Sequence, residues 1–131
     1  MYRERLKSVP FFASMKKKEL EALSRQTDEL DVAAGKELTR QGDFGQEFFV
    51  IESGTAEVKR NGEHIADLGP GDFFGEMALL GEERRTATVT ASSPMQVIVM
   101  TRADFRALDR SMPEVHATVS RAIEERNAQT A

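Results

Sequence analysis

All nine glycines of this 131-residue chain fall between Gly35 and Gly81, and neither end carries one. Glycine weakens helix interiors and supplies the positive φ that turns need. The distribution therefore predicts a turn-rich β section between two helical flanks. Short apolar or alternating runs occur at 29–32, 37–40, 46–52, 55–61, 63–68, 86–91 and 95–101. Their separators are Gly35, Gly42-Asp43, Ser53-Gly54, Asn61-Gly62, Gly69-Pro70-Gly71 and Ser92-Ser93-Pro94, which is turn chemistry. Asn61-Gly62 is the strongest hairpin signal, because both residues tolerate the positive φ of a type I′ turn. The implied fold class is mainly β with flanking α: an antiparallel β jelly-roll barrel of roughly eight strands, with an N-terminal helix and C-terminal helices.

The flanks read as amphipathic helices. Leu20 and Leu23 continue a period that begins near Met15, with Ser14 as N-cap and Lys16-Lys17-Lys18 as a solvated face. Thr101 and Asp104 can cap a short helix carrying Phe105 and Leu108. Ser111, Pro113 and Glu114 open a second one bearing Val115, Val119, Ala122 and Ile123. We therefore expect a single domain over 1–131, with an N-terminal helical segment at 1–28, the β-barrel at 29–101 and the C-terminal helices at 102–131.

Composition removes most alternative functions. Cysteine is absent, which excludes disulfides, zinc-thiolate sites and thiol catalysis. Eighteen basic against 22 acidic residues give a net charge of −4, opposing general attraction to nucleic acid or anionic lipid. No apolar run approaches the about 20 residues that a bilayer demands, and Met1-Tyr2-Arg3-Glu4-Arg5 leads into no signal-peptide core. We expect no membrane association and a cytoplasmic location.

Catalytic constellations are missing too. His64 and His116 are isolated, both expected at the surface, and no histidine pair has metal-ligand spacing. No Gly-x-Ser-x-Gly elbow occurs, and Asp28, Glu29 and Asp31 lack the spacing of a calcium loop. Gly69-Pro70-Gly71 fails as a dinucleotide fingerprint because Phe74 stands where the third glycine belongs. No Walker-type Gly-Lys-Ser/Thr is present. The expectation is a protein that is not an enzyme and needs no metal or cofactor.

One segment, 71–89, does not read like barrel filler. Met77-Ala78-Leu79-Leu80 can form about one helical turn before Gly81, whose N-terminal N–H groups and dipole suit an anion. Gly75 lets a ligand approach the backbone, and Arg85 can supply a bidentate guanidinium to a phosphate. Glu76 would repel an anion unless it serves another group, such as a ribose hydroxyl. Alternatively, Glu76 pairs with Arg84 or Arg85 as a structural salt bridge.

The chain resembles the cyclic-nucleotide-binding domain family of kinase regulatory subunits, nucleotide-gated channels and CRP-type regulators. The matching features are Val9-Pro10-Phe11-Phe12, Gly35-Lys36-Glu37-Leu38, Gln41-Gly42-Asp43, Phe48-Phe49-Val50-Ile51-Glu52-Ser53-Gly54 and Gly69-Pro70-Gly71-Asp72. The cassette Phe74-Gly75-Glu76-Met77-Ala78-Leu79-Leu80 with Arg85-Thr86-Ala87-Thr88-Val89 completes them. The likeness extends over about residues 6–123.

The resemblance implies a ligand, cAMP or cGMP, and a role for each cassette residue. Gly75, Met77 and Ala78 would cradle the cyclic phosphate on the short helix, Arg85 would neutralise its charge, and Glu76 would hold the ribose 2′-OH. Thr86 and the Ala87 N–H would add phosphate contacts, the Thr86 hydroxyl being similar to that of members that also accept cGMP. The interval from Glu76 to Arg85 selects Arg85 over Arg84, which is assigned to solvent or to Glu82 and Glu83. Val58, Ile65 and Leu68 would meet the base, though each equally fits barrel core. The lid would come from Val119, Ile123 and Arg126.

The implied function is a cyclic nucleotide sensor or regulatory domain without its own effector module or DNA-binding module. Its output would be contact with an effector protein or with a second copy as a homodimer. The alternative is a ligand-free jelly-roll scaffold for protein–protein association.

Overall fold

The computed structural model describes residues 15–25, 27–75, 84–114, 116–117, 120–121 and 124. Among these residues, helix α1 (Lys17–Arg25) is followed by eight strands: β1 (Asp28–Val32), β2 (Glu37–Thr39), β3 (Glu47–Ser53), β4 (Ala56–Arg60), β5 (Glu63–Leu68), β6 (Phe73–Phe74), β7 (Thr88–Ala91) and β8 (Met95–Thr101). Helix α2 (Arg102–Ser111) comes next. The strands form two four-stranded antiparallel sheets, ordered β1-β8-β3-β6 and β2-β7-β4-β5, a jelly-roll arrangement. They do not close into the expected barrel. β6 has two residues and β2 three, too short to carry a ladder from one sheet to the other.

β3 and β8 explain the layering. Both are continuous apolar runs rather than alternating ones, because both of their faces are covered. Phe49, Ile51, Val97 and Val99 point between the sheets, joining Ala56, Phe74, Val89 and Ala91. Phe48, Val50, Ile98 and Met100 point the other way, onto Leu20 and Leu23 of α1 and Phe105 and Leu108 of α2. Each side chain so buried contributes about 1.5–3 kcal/mol. The two-residue strand β6 straddles these layers. Phe74 stacks on Phe49 at 4.9 Å between centroids, while Phe73 meets Phe48 edge-on at 5.6 Å.

Several local expectations hold. Asn61 and Gly62 have φ of 54° and 80°, as a type I′ turn requires, and they join β4 to β5. Thr101 and Asp104 form a capping box on α2, with bonds of 3.1 and 3.2 Å. Lys16, Lys17 and Lys18 are exposed. Ser14 lies outside the described residues.

The break between the C-terminal helical segments sits at Met112 rather than Ser111, which still belongs to α2. Met112 precedes Pro113, whose ring disfavours helical backbone at the preceding residue. Accordingly Met112 has φ −143° and ψ 73°. Helical backbone resumes at Pro113, and the His116 N–H donates to the Met112 carbonyl at 3.1 Å. His116 is not the surface residue expected. It is half-buried, with its ring stacked on Phe105 at 4.1 Å.

Candidate functional site

Gly75 follows β6 directly, so the Phe73 and Phe74 anchors determine where the cassette starts. Gly71 N–H donates to the Ile51 carbonyl and Ile51 N–H to that of Asp72, tying the preceding turn to β3. Gly75 itself has φ +77°. A Cβ there would stand 2.7 Å from the Glu47 carbonyl oxygen and 2.9 Å from Arg85 Nη1. Only glycine fits this position without displacing one of them.

Arg85 reaches Gly75 from the far end of the cassette. Its N–H donates to the Asp43 carbonyl at 2.8 Å, and its carbonyl accepts from Gly42 N–H at 2.9 Å. This backbone pairing fixes the Cα. The half-buried side chain then runs over Gly45, whose missing Cβ would overlap Nε and Cζ, and Nη1 donates to the Gly75 carbonyl at 3.5 Å. Two glycines from separate turns thus bracket one guanidinium.

Thr86 is exposed and Ala87 half-buried. The Thr86 carbonyl accepts from Arg60 Nε at 3.2 Å, and the Ala87 carbonyl accepts from Thr39 Oγ1 at 3.0 Å. Arg84 is exposed, as expected, and Glu82 and Glu83 lie outside the described residues. Arg84 Nη1 donates to the Gly42 carbonyl at 2.7 Å, and the guanidinium lies 4.4 Å from the Phe44 ring centroid. Phe44 and Arg84 also form an isolated antiparallel bridge that draws them together.

The ladder between β4 and β7 brings the expected base residues near this cassette, since Val58 pairs with Val89 and Lys59 with Thr88. Val58 and Leu68 are half-buried and pack on the inter-sheet core. Ile65 differs, with 47% of its surface exposed. The register explains this: Val58 pairs with Ala66 and Lys59 with His64, leaving Ile65 as the extra residue of a β-bulge. Core filling therefore does not account for Ile65.

Glu76, Met77 and Ala78, with the one-turn helix expected there, lie outside the described residues, as do Glu82, Glu83, Val119, Ile123 and Arg126. Among the described residues no three or more carboxylates and histidines gather as a metal cluster. Nor is any described helix long and apolar enough to cross a membrane.

The family model for the cyclic nucleotide-binding domain matches residues 29–111. The chain belongs to that family. It is 35% identical over 109 residues to a cAMP-dependent protein kinase regulatory subunit of Schizosaccharomyces pombe, covering 82% of this chain and 26% of the subunit. It is 34% identical over 119 residues to a cyclic nucleotide-gated potassium channel of Rhizobium etli, covering 91% of this chain and 33% of the channel. The chain thus spans a third or less of the length of these two relatives. Among solved structures, the regulatory domain of Toxoplasma gondii PKA, crystallised with cAMP, superposes with a TM-score of 0.75 at 30% identity. That match covers 95% of this chain and 49% of the other.

Within this cyclic nucleotide-binding domain, three residues near the cassette were not legible as such. Gly45 reads in sequence as one more turn glycine, and its bracketing of Arg85 appears only once the turn is folded. Thr39 and Arg60 sit one residue inside the ends of the runs expected at 37–40 and 55–61, and nothing in a strand pattern says that such a residue bonds a carbonyl 48 or 26 positions away.

Proposed function

We propose that the chain is a cAMP-responsive regulatory domain that also admits cGMP. The observation that carries this reading is the seat of Arg85, a half-buried guanidinium held between the backbones of Gly45 and Gly75 where the cassette opens. A cyclic monoester presents one negative charge and planar recognition suits it. Charged hydrogen bonds are worth about 1.5–3 kcal/mol each, whereas burying about 100 Å² of base yields about 2.5 kcal/mol. The phosphate end therefore dominates affinity, with Glu76 taking the ribose 2′-OH and Gly75, Met77, Ala78, Thr86 and Ala87 lining the phosphate.

Val58, Ile65 and Leu68 receive the base, and the exposed apolar surface of Ile65 supports that placement. The exposed Thr86 hydroxyl supports admission of cGMP. The domain performs no catalysis. Ligand shifts the populations of its helix arrangements, and an effector protein or a second copy reads the shift.

Calorimetric titration with cAMP, cGMP and 5′-AMP tests the reading. We expect one saturable site for each cyclic nucleotide and at least about tenfold weaker binding of AMP, whose open phosphate bears a second charge. Absence of heat with both cyclic nucleotides would leave the ligand-free scaffold in its place.

A further inference from the structure

We propose that Arg60 and Thr39 are positioning residues that aim the Ala87 N–H into the phosphate site, an inference that rests on the cyclic-nucleotide reading above. The peptide joining Thr86 to Ala87 is trans, so its C=O and N–H point in opposite directions. A donor holding the Thr86 oxygen consequently sets the direction of the Ala87 N–H. Arg60 Nε is that donor, at 3.2 Å. Thr39 holds the next peptide plane, donating from Oγ1 to the Ala87 oxygen at 3.0 Å, and at 7% exposure it is among the most buried polar residues described. With both planes held, φ and ψ at Ala87 are fixed. The Ala87 N–H has no hydrogen-bond partner among the described residues.

Arg60 is itself placed by a built frame. It precedes the Asn61-Gly62 turn, and the Gln41 carboxamide grips that turn twice, accepting from Asn61 N–H at 2.7 Å and donating to Asn61 Oδ1 at 2.9 Å. Gln41 N–H also donates to Thr88 Oγ1 at 3.0 Å, one residue beyond Ala87. The hairpin tip, the loop after β2 and the segment leading into β7 are thereby locked together, with Arg60 facing the Thr86 carbonyl.

Titration of the full chain with cAMP, paired with amide spectra, separates positioning from charge. Arg60→Ala and Thr39→Val are each expected to raise the Kd about three- to tenfold. Lys59→Ala removes the neighbouring positive charge, which pairs with Glu57 at 3.6 Å and, among the described residues, bonds no carbonyl of the cassette. It should change the Kd by less than about twofold. The Ala87 amide proton, shifted on saturation of the wild type, should shift less in Arg60→Ala. A purely structural role would not move that resonance selectively.

Wild-type affinity and an unaltered Ala87 shift in Arg60→Ala would overturn the proposal while leaving the functional reading intact. Equal losses in Lys59→Ala and Arg60→Ala would also overturn it, because the local field alone would suffice. A wild type that binds no cyclic nucleotide overturns both readings. Thr39→Val empties a buried donor and can lower stability, so its Kd is read below its own melting transition. Arg60 is exposed, and its removal leaves the core untouched.

Discussion

Arg85 carries the largest single expectation. Removing a guanidinium that makes charged hydrogen bonds of about 1.5–3 kcal/mol each corresponds to at least about tenfold in affinity. Arg85→Ala should therefore bind cAMP at least about tenfold more weakly, and its urea midpoint should stay near wild type because its backbone pairing with Gly42 and Asp43 survives. Unchanged affinity by titration would remove Arg85 from the site. Gly45→Ala acts on the same side chain indirectly. Its Cβ overlaps Arg85 Nε and Cζ, the flexible part of the arginine, so the guanidinium must swing away from Gly75. Affinity should fall about as far as in Arg85→Ala while the fold persists, and equal affinity in wild type and Gly45→Ala would contradict the bracketing. The preference for Arg85 over Arg84 is implied by the resemblance through the interval to Glu76, and Arg85→Ala tests it. The seat of Arg84 on Phe44 was not readable in the sequence, because it depends on a single bridge between residues 40 positions apart, and a one-pair ladder leaves no periodic trace.

Among the elements, the β4–β5 hairpin was the most legible, since Asn-Gly demands one turn type and the turn dictates the pairing at its mouth. Its bulge was not, for an extra residue looks like any other in an alternating run. The bulge has a chemical result. Residues three apart on a regular strand face opposite sides, but with Ile65 inserted His64 and Asp67 share a face with Lys59 and Glu57, and His64 Nε2 meets Asp67 Oδ1 at 2.9 Å. That hydrogen bond, acting first, and the charges of Asp67 and Glu57 raise the His64 pKa, while desolvation and Lys59 oppose the rise. A raised pKa means that the folded state favours protonated His64. The stabilisation is complete below the ordinary histidine value of about 6.5 and disappears as pH rises through the elevated one. Asp67→Asn should thus lower the His64 pKa in an NMR titration and flatten the slight loss of stability above pH 6.5; an unmoved titration would deny the pair any role. β6 also escaped the sequence, since Phe73-Phe74 is too short for a period to appear. The apolar stretches 48–51 of β3 and 97–100 of β8 were visible, but their burial on both faces appears only once α1 and α2 cover the outer side.

At the scale of the molecule, the two cores share β3 and β8, and β6 touches both. Phe73 packs against the helix-side cluster, Phe74 lies between the sheets, and Gly75 opens the cassette. Whatever restrains Gly75 is therefore one residue from the inter-sheet core and two from the helix layer. Composition and turn spacing announced the jelly roll, but this threading depends on side-chain direction in a two-residue strand, which only the folded register supplies. The same threading makes stability a direct reporter of occupancy. A ligand bound by the native state and not by the unfolded chain stabilises by about 2.7 kcal/mol at a hundredfold excess over its Kd, which for a chain of this size is about 10 °C in Tm. Saturating cAMP should raise the wild-type Tm by that amount, and AMP at the same concentration should raise it far less. Arg85→Ala should begin from a similar unliganded Tm and lose most of the cAMP shift, because the phosphate contact is removed and the packing of Phe73 and Phe74 is not. A variant that keeps the full shift would place the ligand elsewhere on the molecule, away from the two glycines and the guanidinium they enclose.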